Sequence, residues 1–252
     1  MDYYFADFTE TNYKTILDEL NTEGYKFAGF DYEKISSGEK IVLWRHDVDF
    51  SLNRAYRLAE IEEESGVKAT YFIHMQSNFY NIFEPDQYEI VKQIINKGHT
   101  IGLHFDHGFY MRNKGIVNGD IEKYAMREKE IIEEYFDVKI NVVSFHNPEA
   151  NNVLNLRKDD YAGMVNVYSQ TIFDSCKYCS DSNGYWRYDR LKDVIEKGYE
   201  KLHILTHPAW WTPYQCSPYE RIKRCVDGRR DAVLAEYCGA LKQCGRENVG
   251  YK

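Results

Sequence analysis

The sequence predicts an α/β fold in which parallel strands, joined by crossover helices, make one sheet, open or closed into a barrel. Two observations lead there. From Ile41 onward, short β-rich apolar runs alternate with amphipathic helical stretches, several of them stopped by a glycine. Polar, metal-competent side chains then recur where the predicted strands end, which is where parallel α/β sheets bind ligands.

The elements follow in order. The first 40 residues hold one helix, about Thr11 to Glu23, and a polar link through Ser36-Ser37-Gly38. Strand Ile41–His46 leads into helix Leu52–Ser65, closed by Gly66 at the position where helices prefer to end. Ala69–Ile73 is the next strand, Asp86–Lys97 a helix stopped by Gly98, and Thr100–His104 a third strand. Ile121–Phe136 is a long helix whose stripe is Ile121, Tyr124, Ala125, Ile131, Ile132 and Tyr135. Asn141–Phe145 is the fourth strand. After Pro148 the rhythm loosens: Gly163–Tyr168 is a short strand, and Cys176–Tyr188, crowded with Asp, Ser, Asn and Gly, is irregular. Helix Leu191–Lys197 ends at Gly198, strand Leu202–Thr206 follows, and Pro218–Leu241 is a closing helix.

Arg45-His46-Asp47-Val48-Asp49 sits where the first of these strands ends. Side chains on a strand alternate faces, so Arg45, Asp47 and Asp49 point the same way. Two carboxylates beside a guanidinium are costly to bury unless they pair or hold a cation. A metal site with a spare carboxylate for proton transfer satisfies that condition. Taken alone, the five residues fit equally well a surface turn whose acids cap the helix beginning near Ser51.

The histidines shift the balance. His104 (with Asp106 and His107), His146 and His207 follow three further predicted strands, so half of the eight histidines hold such positions. His46 alternates to the face opposite the aspartates, and His203 lies inside its strand. These two, with His74 and His99, read as structural.

Composition narrows the function. Lys+Arg 32 against Asp+Glu 40 gives a net charge of −8, which excludes a nucleic-acid backbone as the main partner. No apolar stretch reaches the roughly 18 residues of a transmembrane helix. The N-terminus has neither the basic start nor the apolar core of a secretion signal, so a cytoplasmic location is expected. Of the six cysteines only Cys176-x-x-Cys179 has ligand-like spacing, and free thiols are expected. With 22 tyrosines, a cleft with aromatic walls would suit sugar rings.

These residues resemble the polysaccharide deacetylases of the NodB-homology type, carbohydrate esterase family 4. Asp47-Val48-Asp49 is similar to that family's first motif in its Asp-x-Asp form. Gly98-His99-Thr100-Ile101-Gly102-Leu103-His104 is close to its Gly-His-Glu-Ile-Gly-x-His approach to a metal histidine, and Leu205-Thr206-His207-Pro208 to its late Leu-x-His motif. Arg45–Asp49, Ser144–Pro148, Ser180-Asp181-Ser182 with Trp186-Arg187, and Thr206–Trp211 together resemble a branch associated with bacterial surface-polysaccharide biosynthesis. The match covers about 41 to 211. The whole chain then reads as one domain: an N-terminal helical extension (1–40), the motif-bearing barrel (41–211) and a closing helix (212–252).

The resemblance implies an incomplete, seven-stranded (β/α) barrel, one divalent metal ion (usually zinc), and hydrolysis of an N-acetyl group on an amino sugar or glycan. Asp/His ligands also suit cobalt, nickel or iron. Asp47 would be the general base, Asp49 and His104 metal ligands, and His207 the acid that protonates the departing amine. Trp186 and Trp210 would be sugar platforms, or ordinary core; Trp210 and Trp211 could not both face inward on a strand. Two departures from the family pattern matter. The second metal histidine, four residues after the first, is here Gly108, and the third motif has His146-Asn147-Pro148 where an arginine is usual. The expected compensation is that His146 supplies the third ligand while Arg45 holds Asp47. His107 is the rival ligand. The other readings are a sugar-binding relic without turnover, and a hydrolase of another C–N bond such as a sugar deformylase.

Overall fold

Strand β2 (Ile41–Val48) is the hub of the sheet, and every one of its residues is buried. It pairs in parallel with β1 (Lys26–Phe27) along its first half and with β3 (Thr70–Ile73) along its second. On its other side it pairs with β9 (Lys201–Thr206). The computed structural model describes residues 3–115, 121–148, 157–186 and 188–250. Beyond β3 come β4 (Thr100–Phe105), β5 (Val142–Phe145) and β7 (Met164–Asn166), and beyond β9 comes β8 (Lys177–Ser180), all parallel. The wall is therefore seven parallel strands in the order β7-β5-β4-β3-β2-β9-β8, with β6 (Asp160–Tyr161) added antiparallel at one edge.

The sheet curls without closing. Helix α7 (Gln170–Ser175) joins the two ends: its Phe173 ring stacks 6.4 Å from Tyr168, just past β7, and lies 5.4 Å from Tyr178 of β8. Arg45, from the middle of the sheet, donates to the Tyr168 hydroxyl at 2.8 Å. Opposite edges thus meet around one interior, and the fold is an incomplete (β/α) barrel.

Strand alternation separates the two faces. Outward residues of β2, among them Val42, Trp44 and Val48, pack under α1 (Glu10–Thr22), α3 (Leu52–Glu64), α4 (Pro85–Asn96) and α6 (Ile121–Phe136) in the main core. His46 also faces outward, as its parity predicts. It meets Glu62 of α3 at 2.6 Å, and Tyr13 and Tyr71 each donate to that carboxylate at 2.5 Å. Inside, Ile41, Leu43 and Ile172 fill the bottom of the barrel, with Phe72, Val142 and Val167 in a second cluster. Gly102 makes room for that cluster: a Cβ there would lie 2.6 Å from the Phe72 ring.

Several elements depart from the sequence pattern. β8 lies within the stretch expected to be irregular; it is an edge strand of Lys, Tyr, Cys and Ser with β9 as its partner, so its residues carry little hydrophobic alternation. α5 (His107–Lys114) is an unpredicted helix, capped by Asp106, which accepts from Phe109 N at 3.0 Å. The N-terminal region adds strand β1 and the short helix α2 (Tyr32–Ile35) to the expected helix. Trp210 and Trp211 are both buried, because Pro208–Trp210 form a 3-10 turn to which strand alternation does not apply. α8 (Leu191–Glu196) precedes β9, and the closing helix α9 (Pro218–Gln243) runs largely exposed with Arg221 buried at its start. Among the described residues no helix is long and apolar enough to cross a membrane. All six cysteines are free thiols.

Candidate metal centre

Asp49, His74, His146 and His207 stand just past the C-terminal ends of β2, β3, β5 and β9, and His104 lies near the end of β4. Parallel pairing puts these ends on one rim. The helix that follows β2 does not draw its acids away. Ser51 is the N-cap of α3, accepting from Arg54 N at 3.2 Å, so Asp47 and Asp49 are left to the interior.

Three ligand atoms form a tight triangle. Asp49 Oδ1 lies 3.1 Å from His104 Nε2 and 3.2 Å from His146 Nδ1, and those two nitrogens are 3.3 Å apart. Ligands around a tetrahedral zinc, with bonds of about 2.0–2.1 Å, stand roughly 3.3 Å from one another. The triangle therefore has the size that such an ion requires. Despite these close approaches, buried Asp49 Oδ1 makes no hydrogen bond of acceptable geometry. An acceptor left this way suits a cation better than a hydrogen-bond network. The donor set of one carboxylate and imidazoles fits a divalent transition metal.

The surroundings orient these donors. Ser144 Oγ lies 3.1 Å from His104 Nδ1, and Asn147 engages His146 Nε2 at 2.9 Å, so the opposite nitrogen of each ring turns into the cluster. Burial works to raise the Asp49 pKa, but the close approach of the His104 and His146 imidazoles and the charges of His104 and His207 hold it well below the usual carboxylate range. His74, read from the sequence as structural, joins the group: one of its ring nitrogens, a carboxylate oxygen of Asp49 and a ring nitrogen of His146 lie within 4.8 Å of one another. Its Nε2 is buried without a hydrogen bond, and burial, with the charges of His104 and His146, pushes its pKa down to about 3. His74 is thus a neutral imidazole with a free ring nitrogen.

Asp47 lies alongside, 2 % exposed. Ser144 Oγ donates to both of its carboxylate oxygens at 3.2 and 3.1 Å, and Arg45 Nη2 donates to Oδ2 at 3.2 Å. Arg45 is fully buried, its guanidinium 4.7 Å over the Tyr168 ring. On the other wall, His207 Nε2 is 3.7 Å from Asp49 Oδ2. Asp181 holds His207 from behind, accepting from its Nδ1 at 2.6 Å and from its backbone N–H at 3.0 Å. Burial works against the charged imidazole, yet the charge and hydrogen bond of Asp181, aided by Asp49 and Asp47, push the His207 pKa up to about 9.

Other expected site residues lie elsewhere. His107 is fully buried on the first turn of α5, neither ring nitrogen hydrogen-bonded, against the Phe145 ring at 6.2 Å. The start of α5 at that residue carries it away from the cluster. Trp186 packs between Phe8 at 5.0 Å and Trp211 at 6.2 Å, its indole N–H donating to Asp7 at 2.9 Å. Trp210 stacks near Phe50 at 5.1 Å and His207 at 6.4 Å, 6 % exposed. Neither tryptophan lines the cavity above the cluster: Trp186 packs against the N-terminal segment and Trp210 against Phe50, just before α3. Arg187 lies outside the described residues.

That cavity has a volume of about 650 Å³ and includes Asp47, Asp49, His104, His146 and His207 in its lining. Beyond Phe145 of β5, its aromatic walls are Tyr168, Phe173, Tyr178 and Tyr188. Sequence reasoning did not single these out. They fall on the loosely patterned stretch after Pro148, where the one available signal was the density of aromatic residues.

No family model and no curated protein sequence matches the chain. Among solved structures it is similar to a family 4 carbohydrate esterase from Bacillus anthracis, at 13% identity over 85% of this chain and 84% of that one, with a TM-score of 0.40. It is similar to the peptidoglycan deacetylase PdaC from Bacillus subtilis at 14% identity, covering 82% of this chain and 97% of that one, with a TM-score of 0.42. A CE4 family pseudoenzyme from Bacillus anthracis matches at 16% identity and a TM-score of 0.43, covering 77% of this chain and 62% of that one. This chain thus spans less than two thirds of the pseudoenzyme's length. Likenesses this distant carry no functional weight, which rests instead on the rim of the barrel.

Proposed function

We propose that this chain is a metal-dependent hydrolase that releases acetate from an N-acetylated amino sugar of a surface glycan or its precursor. The observation that carries the reading is the triangle of Asp49 Oδ1, His104 Nε2 and His146 Nδ1, with sides of 3.1 to 3.3 Å, facing a sugar-sized aromatic cavity. The motif resemblance of the sequence points the same way.

An amide resists water, and a divalent ion, when bound, polarises its carbonyl and lowers the pKa of water. Asp49, His104 and His146 would hold that ion, zinc by preference, with His74 and His207 flanking it. The protein's own groups do the rest. Asp47, fixed by Arg45 and Ser144, takes the proton of the attacking water at a carboxylate oxygen. His207, fixed by Asp181 through Nδ1, supplies a proton from Nε2 to the departing nitrogen. Tyr168, Phe173, Tyr178 and Tyr188 offer planes against which the apolar faces of a sugar ring pack.

The test is metal analysis of the purified protein, followed by acetate release from free, nucleotide-linked and polymeric N-acetyl sugars. The expected result is one bound ion per chain and release that Asp47→Asn abolishes while keeping the ion. A bound ion with no acetate from any of these substrates would overturn the reading.

A further inference from the structure

A second cavity, of about 380 Å³, lies between the first turn of α3 and the helix α9. Four guanidinium groups line it: Arg54, Arg221, Arg224 and Arg229. In a chain of net charge −8, that concentration of positive charge is no background feature. Glu10 pairs with Arg54 and Glu84 with Arg229. Among the described residues no carboxylate stands within ion-pair distance of Arg221 or Arg224. Arg221 is fully buried. Its Nη1 and Nη2 donate to the carbonyls of Gly184 at 2.8 Å and Phe5 at 3.3 Å, its guanidinium lies 4.7 Å over the Phe8 ring with the Cys216 thiol also beside it, and its Nε makes no hydrogen bond. A buried cation without a counter-charge is costly, which is a reason for an anion to bind here.

The backbone adds to the attraction. α3 has thirteen residues, and its N-cap Ser51 answers the N–H of Arg54, so the N–H groups of Leu52 and Asn53 have no intrahelical partner. Ser51, Leu52 and Asn53 all line the cavity. Aligned N–H groups at a helix start favour an anion with several acceptor oxygens. Burial, with the Arg224 charge adding to it, holds Arg54 below the usual guanidinium value even though Glu10 works in the other direction. A tetrahedral phosphate can take two guanidinium forks and the helix N–H groups together.

We propose that this cavity is an anion subsite that takes a phosphate or diphosphate group. No residue lines both this cavity and that of the candidate metal centre, but the same two chain segments reach both: Phe50 and Ala209 line this one, while Asp49, next to Phe50, and His207, two residues before Ala209, line the other. Where the deacetylase reading holds, on which this one clause rests, the sugar is one carried on a diphosphate.

The test is calorimetric titration of the protein and of Arg224→Glu with inorganic pyrophosphate, UDP and geranyl diphosphate. Arg224 is half-buried and outside the proposed catalytic groups, and thermal melts check that the variant folds; Arg224→Gln serves should the reversal not fold. At least one diphosphate is expected to bind and to lose about 10-fold or more in affinity on substitution, the scale of one charge-assisted hydrogen bond. Tighter UDP names a nucleotide carrier, tighter geranyl diphosphate a lipid one, and equal affinities a site that reads the diphosphate alone; each supports the subsite. Failure of all three to bind, or binding that the Arg224 substitutions leave unchanged, would overturn it. Acetate release plays no part in the readout, so failure here and failure of the deacetylase reading are told apart.

Discussion

Asp181 grips His207 at two points, the imidazole Nδ1 at 2.6 Å and the backbone N–H at 3.0 Å, and also accepts from the Trp211 indole at 3.1 Å. The carboxylate thereby sets both the ring's rotation and its tautomer, leaving Nε2 directed at the cavity. Asp181→Asn keeps the shape but weakens the hold on a charged imidazole. Loss of a well-placed proton donor is worth roughly 10²–10⁴-fold in rate. The expected outcome is a fall in kcat of about 10²-fold, with metal content unchanged by elemental analysis. Loss of the ion would mean that Asp181 acts through the ligand set instead.

The ligand triangle makes a ranked prediction. His104→Ala and His146→Ala each remove one corner of it, whereas His107→Ala removes a ring packed on Phe145 outside the cluster. Even groups that only orient a ligand cost about 10–100-fold in metal affinity, so loss of a ligand is expected to cost at least that. His74→Ala is expected to fall between these cases, since its free Nε2 lies beside the triangle rather than in it. Competition with a chelator of known affinity gives the order. Full occupancy in His146→Ala would remove that residue from the set.

The rim positions were legible because each of them ends a strand with a strong apolar run: Ile41–Trp44 before Asp47 and Asp49, Val142–Val143 before His146, Leu202–Leu205 before His207. Period-2 alternation then set the facing of Arg45, His46 and Asp47. What alternation could not supply was partnership across the curl. Tyr168, Phe173 and Tyr178 meet only because α7 joins opposite edges of the sheet, and no local pattern announces that. His74 follows a strand just as the others do, but one residue cannot show whether its nitrogen will be answered by a neighbour or left free. Trp186 and Trp210 invite a sugar-binding reading by type, yet both are claimed by contacts with residues far away in sequence, Phe8 and Phe50.

Gly102 tests the packing that supports His104. The two residues share the interior face of β4, and the Phe72 ring occupies the space where a side chain at 102 would be, with Val142 Cγ1 3.0 Å from the same point. Phe72 is fully buried. Overpacking of this kind costs about 1–3 kcal/mol. Gly102→Ala is expected to lower the unfolding free energy by that amount, read as a lower urea midpoint, and, by pushing β3 from β4, to weaken metal binding as well. An unchanged midpoint would show that the interior tolerates the methyl group.

Glu128 gives the protein a pH dependence of its own, away from the metal centre. On α6 it is 2 % exposed; Tyr110 and Gln76 both donate to Oε1, at 2.5 and 2.6 Å, while Oε2 is buried without a partner. Burial is the main cause that pushes its pKa up to about 7, over the opposing pull of those two hydrogen bonds, with the Asp106 charge adding a little. The unfolded chain ionises this group near its ordinary value of 4.5. Below that pH both states hold the proton and nothing is lost. Between there and about 7 the unfolded state gains from ionising while the folded state does not, so stability falls as pH rises and then levels off. At about 1.36 kcal/mol per pKa unit, the loss is on the order of 3 kcal/mol. Glu128→Gln keeps an acceptor for Tyr110 and Gln76 and cannot ionise. Urea unfolding at pH 5 and pH 8 is therefore expected to show the variant gaining on the parent protein by a few kcal/mol across that interval, and a constant difference between the two would mean that Glu128 ionises as readily folded as unfolded.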